Sequence, residues 1–127
     1  MSLFLSLDFI YMPSKGVDKD LNYYLEVMGA QEEFNINDDG AHVAMVNVGA
    51  GPQLLLADHD GPDSPILIYR VESLKQAKSE LGKRGWKKDA EMEFPHGPIC
   101  TFTATNGQRF GIYELVRPEA DEFLKER

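Results

Sequence analysis

The chain has 127 residues, 43% of them hydrophobic and 27% charged, with a formal net charge of −8 at pH 7. That length supports one domain with a real core, and the acidic balance argues against nucleic acid or an anionic membrane surface as partner. No apolar run is long enough to span a bilayer, and a lone cysteine, Cys100, leaves no intramolecular disulfide to form. The opening MSLFLSLDFIYM is apolar but lacks the basic region and cleavage site of a signal peptide, so a cytoplasmic location is expected. Residues 7–12 (LDFIYM) are aromatic and branched and stop at Pro13, as a strand does. A helix then begins near Val17 and ends at Gly29. Its apolar positions Val17, Leu21, Tyr24, Leu25 and Met28 fall on one stripe, with Asp18 and Asp20 at its positive end. Residues 32–37, 41–48 and 53–58 read as three strands, broken by Asp38-Asp39-Gly40 and by Gly49-Ala50-Gly51-Pro52.

A short polar linker, residues 59–64 (HDGPDS), leads into the same order again. Residues 65–71 (PILIYRV) form a strand. Ser73 caps a helix carrying Leu74, Ala77 and Leu81, with Lys83 and Arg84 before its end at Gly85. Trp86 and residues 91–94 lead into a strand, Pro95-His96-Gly97-Pro98 makes a loop, and residues 99–105 (ICTFTAT) form the next strand. Asn106-Gly107 is a hairpin signal, followed by a last strand at 109–116. Residues 118–127 are a charged tail. Residues 7–59 and 65–117 are therefore two copies of one plan, strand–helix–three strands, within a single domain. The fold class this predicts is α+β.

With that order in hand, three segments resemble the vicinal oxygen chelate superfamily, which includes glyoxalases, extradiol dioxygenases and fosfomycin- and bleomycin-resistance proteins. DKDLNYYLEVMGAQ is similar to the family's first helix, YRVESLKQAKSELGKRGW to its second strand–helix element, and ATNGQRFGIYEL to its closing hairpin. The resemblance covers nearly the whole chain. It implies two βαβββ modules in a pseudo-twofold arrangement, forming a curved mixed sheet around a cleft, in a homodimer. It also implies metal ligands, usually His and Glu, on the first and last strand of each module. Here the chain departs from the pattern. Gly111 stands at the family's last-strand Glu position, Ile66 at the usual His position, and Gln53 or a leucine where Glu is common. Glu114 is three residues beyond Gly111, and an odd offset puts it on the other face of the strand. Asp8, with Phe9 as the alternative register, is the one first-strand candidate. The expectation is a chain without the mononuclear metal centre and without a cofactor.

Strand parity then names the candidate ligand-binding residues. If Gly111 faces the cleft, so do Arg109 and Tyr113, while Phe110 and Ile112 pack under the helix; if Ile66 does, so do Ile68 and Arg70. Arg70 on an apolar strand can offer a planar fork to a carboxylate or phosphate, or simply reach solvent. Tyr113 can donate a hydrogen bond to a ligand or fill the cleft. Gly111 makes room for a ligand or marks a bulge. Asp8 is either a ligand-facing carboxylate or a strand-start residue in water. His96 in its loop is either an acid or base near neutral pH or a solvated histidine. His42 is expected at the surface, His59 in an ordinary acidic turn (DHDGPD), and Cys100 and Trp86 in the core.

Three functions fit. The first is metal-independent binding of a small molecule of unknown identity. The second is a metal-dependent lyase or dioxygenase-type enzyme with a non-standard ligand set that includes Asp8 and Glu114. The third is a dimeric interaction domain whose cleft is filled by Tyr113, Met45 and Phe102.

Overall fold

Ten elements follow one another in the computed structural model, which describes residues 3–38, 41–58 and 64–120. They are β1 (Phe4–Pro13), α1 (Val17–Glu26), β2 (Gln31–Asp38), β3 (Ala41–Asn47), β4 (Gln53–Ala57), β5 (Ile66–Val71), α2 (Leu74–Lys83), β6 (Lys87–Phe94), β7 (Gly97–Thr103) and β8 (Arg109–Glu114). The βαβββ order occurs twice, as the sequence repeat predicts. By contacts the described chain forms two units. Unit one takes the start of β1, through Asp8, together with β5 to β8 and α2. Unit two takes the rest of β1 with α1 and β2 to β4.

In unit two the strands lie in the order β2-β3-β4-β1, with β1 and β4 parallel and the β2–β3 and β3–β4 pairs antiparallel. Helix α1 forms because Val17 and Leu21 recur at helical spacing. Both are buried with Ala30, Ala44, Val46 and Leu56, and Tyr24 and Leu25 pack against them. Met28, the last position of the predicted stripe, is exposed because the helix has already ended. Gly29 closes it at φ 70°, and the Ala30 amide returns to the Tyr24 carbonyl at 2.9 Å.

In unit one the order is β1-β5-β8-β7-β6, with β5 and β8 parallel and β7 antiparallel to both its neighbours. Val71, Leu74, Ala77, Leu81, Cys100, Phe102 and Ile112 form the core under α2, and Leu3, Phe4 and Trp86 pack against it. Trp86 stacks on Phe110 with ring centroids 5.3 Å apart. Ser73 caps α2 by accepting from the Gln76 amide at 3.2 Å. The Asn106-Gly107 hairpin forms as expected, with Asn106 Oδ1 accepting from the Gln108 amide at 3.0 Å.

Some boundaries differ from the sequence pattern. β1 begins at Phe4 rather than residue 7, because Phe4 contributes to the aromatic group with Tyr69 and Trp86. β6 begins at Lys87 rather than residue 91. All but the last of its residues are exposed, so its pairing with β7 and not burial defines it, and apolar alternation could not reveal it. The expected four-residue loop at 95–98 is shorter, since β7 starts at Gly97. A Cβ at Gly97 would lie 1.9 Å from the Glu114 carbonyl oxygen, so only glycine fits this close strand approach. The turn at Asp39-Gly40, His59 with most of its acidic turn, and most of the tail lie outside the described residues.

Candidate functional site

The register of unit one sets which side chains share a face. Ile68 pairs with Gly111 and Arg70 with Tyr113 across β5 and β8; Gly111 pairs with Thr101 and Tyr113 with Ile99 across β8 and β7. Opposed residues point the same way, so Arg70, Tyr113, Gly111, Arg109 and Thr101 share the face away from α2. Phe110 and Ile112 take the opposite face, as parity predicts: Ile112 lies in the helix-side core and Phe110 against Trp86. Phe102 is also on the helix side, which corrects its expected place beside Tyr113. It pairs with Phe110 and lies in the core under α2.

Three of the four predicted site residues meet. The Tyr113 hydroxyl donates to Asp8 Oδ2, and Ser6 Oγ donates to Oδ1 of the same carboxylate at 2.5 Å. Arg70 Nε lies 3.7 Å from Asp8 Oδ2. Asp8 is thus held by two hydroxyls and faced by a guanidinium. Tyr113 is almost fully buried, whereas the Arg70 side chain is 37% exposed and that of Asp8 23%. Within Arg70 the Nε is buried without a hydrogen-bond partner. A buried donor left unpaired is uncommon and costly, so this one stands out. Thr101 Oγ1 on the same face is buried and unpaired as well.

Along the same face Arg109 Nε donates to Asp89 Oδ2 at 3.1 Å, and Thr103 Oγ1 donates to the same carboxylate at 3.0 Å. Asp89 reaches them from the irregularity in β6 between Lys88 and Ala90. Gly111 marks no bulge. A Cβ there would meet Ile68 Cγ1 at 3.1 Å, so the missing side chain makes room for Ile68.

His96 lies apart from this group. It sits in the turn between β6 and β7, buried and stacked on Phe94 at 4.9 Å, with its carbonyl accepting from the Val116 and Arg117 amides. It is not the solvated loop histidine the sequence allowed as its second reading. His42 is a further correction: it is buried, not at the surface. Its Nε2 lies 2.6 Å from Asn35 Oδ1 and 3.5 Å from Asp18 Oδ1. Neither neighbour is adjacent to it in sequence, which is why turn propensity missed its surroundings.

Metal ligation does not fit the described residues of this face. Among the described residues no three His, Cys, Asp or Glu side chains gather to hold an ion. Gly111 and Ile66 offer no donor, and Asp8 has both oxygens engaged beside a cation. Glu114 points to the helix side, as its odd offset predicts: Oε1 accepts from the Leu74 amide at 2.8 Å, at the start of α2. Cys100 is fully buried, and burial pushes its thiol up to about 11, away from the thiolate form. No helix among the described residues is long and apolar enough to cross a membrane.

This architecture, two βαβββ modules with mixed sheets and one helix each, is the glyoxalase-like fold. Several solved structures share it. Methylmalonyl-CoA epimerase from Mycobacterium tuberculosis has a TM-score of 0.76 at 21% identity, over 94% of this chain and 93% of that one. A second methylmalonyl-CoA epimerase gives 0.70 at 16%, over 92% and 99%. The Streptomyces coelicolor epimerase, in complex with 2-nitronate-propionyl-CoA, gives 0.72 at 13%, over 90% and 99%. Neither a protein-family model nor a curated protein matches the chain.

Proposed function

We propose that the chain binds a small organic molecule, without a metal ion, against the helix-free face of unit one. Asp8, Arg70 and Tyr113 are its polar contacts, and His96 is left out because it packs on Phe94 in the β6–β7 turn. The observation that carries this reading is Arg70. It projects from an apolar strand, keeps more than a third of its side chain exposed, and leaves its buried Nε without an acceptor. A mostly apolar surface with a few fixed polar groups is the usual make-up of a small-molecule site. Ser6 and Tyr113 fix Asp8, and Asp8 in turn orients Arg70. The protein would work as a homodimer in the cytoplasm, where one buried thiol is unexceptional.

The test is a thermal-shift screen followed by calorimetry. One structural neighbour is a methylmalonyl-CoA epimerase in complex with methylmalonyl-CoA, so coenzyme A thioesters belong in the first panel, beside free acids, amides and ketones. Binding that is saturable in the native chain and lost in Arg70→Ala supports the reading. Ligands that bind Arg70→Ala equally well would reject it.

A further inference from the structure

Two arginine–carboxylate pairs lie on the helix-free face of unit one. Arg70 faces Asp8 and Arg109 faces Asp89. The two pairs are built differently. Asp89 spends an oxygen on Arg109, accepting from Nε at 3.1 Å. Asp8 gives its oxygens to Ser6 and Tyr113 instead, and at 3.7 Å it makes no hydrogen bond to Arg70 Nε. With both oxygens accepting from hydroxyls, the Asp8 carboxylate serves as an acceptor only. It therefore cancels the charge of Arg70 while leaving that side chain's donors uncommitted.

Such a group favours one class of partner over another. An anion brought to Arg70 gains from the guanidinium but is repelled by the carboxylate behind it, and the two terms nearly cancel. An uncharged oxygen meets the same N–H donors without that repulsion. We propose that the ligand group received by Arg70 is an uncharged acceptor, the carbonyl oxygen of an amide, ketone or ester, and that Asp8 is the specificity residue that turns anions away. This rests on the binding reading above and narrows its ligand class.

The experiment follows the Arg70 Nε–Hε resonance by ¹H–¹⁵N NMR while the protein is titrated with malonamide or with sodium malonate at matched ionic strength. The expected result is a saturable shift with malonamide and a weaker response to malonate. In Asp8→Asn, which keeps the shape of the side chain, malonate affinity rises about tenfold or more, the scale of one removed charge at such a distance. Arg70→Ala confirms the assignment of the resonance. Malonate binding the native protein as well as malonamide does overturns the proposal, and so does Asp8→Asn without a gain for malonate. Should Asp8→Asn fail to fold, the native comparison decides alone, and malonamide showing no advantage counts against the proposal. Failure of the binding reading looks different: no member of the thermal-shift panel binds. A wrong charge preference leaves that panel positive.

Discussion

The two units share a plan and one apolar helix-side core each, yet their other sheet faces differ. In unit two that face carries Phe9, Tyr11, Phe34, Met45 and Leu55, all buried. In unit one the corresponding face carries Arg70, Arg109, Tyr113 and Thr101 among isoleucines, with Asp89 bonded to Arg109. The helix starts differ too. In α2, Ser73 takes the Gln76 amide and Glu114 takes the Leu74 amide, whereas α1 begins at Gly16 without a side-chain cap, and Ser14 donates to Asp20 at 2.6 Å. A duplicated scaffold can thus keep one half's free face for packing and place polar chemistry on the other. Both modules keep the helix side apolar.

The contrast can be broken from either half. Met45 is fully buried, so Met45→Ala should cost about 2–5 kcal/mol of stability in urea unfolding. Arg70→Ala should cost about 1 kcal/mol or less, because its ion pair is long and partly exposed, while removing small-molecule binding. Equal stability losses would mean that both faces serve the core alike. Between these lies Glu114→Ala, which strips an acceptor from the first turn of α2. About 1 kcal/mol should be lost, with ligand affinity unchanged. A large change in affinity would return Glu114 to the site.

The thiol sharpens the same contrast, because Cys100 lies in the helix-side core of unit one. Burial pushes its thiol up to about 11, above the ordinary 9.0. It therefore favours folding below pH 9, and that contribution falls as pH rises toward 11. A thiol reagent at pH 8 should label it no faster than the protein opens globally, and denaturant should expose it at once. Rapid labelling of the folded chain would place Cys100 at an accessible surface.

Much of this was legible because period and punctuation agreed. Val17 with Leu21, and Leu74 with Ala77 and Leu81, marked the buried helix stripes, and Gly29 and Gly85 marked the ends. Parity, anchored on the cleft positions that the resemblance implies for Gly111 and Ile66, assigned Ile112 to the helix side, Arg70 and Tyr113 to one face, and Glu114 away from the implied ligand position. What escaped was long-range. Asp8 and Tyr113 are 105 residues apart, so nothing local showed that a tyrosine and a serine would engage the carboxylate beside Arg70. Asp89 met Arg109 through a strand irregularity that alternation cannot encode. His42 looked like a turn residue because the partners that surround it, Asn35 and Asp18, come from another strand and a helix.

The smallest expected effect lies at the edge of unit one, where Lys78 of α2 donates to Glu91 of β6. The hydrogen bond from Lys78 lowers the Glu91 carboxyl below its ordinary value of 4.5, and the same bond raises Lys78 above 10.5. A lowered folded value means that Glu91 contributes stability above pH 4.5 and loses it as pH falls through the lowered value. A raised one means that Lys78 contributes below pH 10.5 and loses it at higher pH. Both groups are solvent-accessible, and β6 is an exposed edge, so the pair should be weak and screened by salt. The melting temperature of Glu91→Gln should therefore sit slightly below that of the native chain at neutral pH in low salt. The gap should close in acid and again at about 1 M sodium chloride, where the Debye length shrinks to about 3 Å. A gap that persisted under both conditions would show that Glu91 supports β6 by packing rather than by charge.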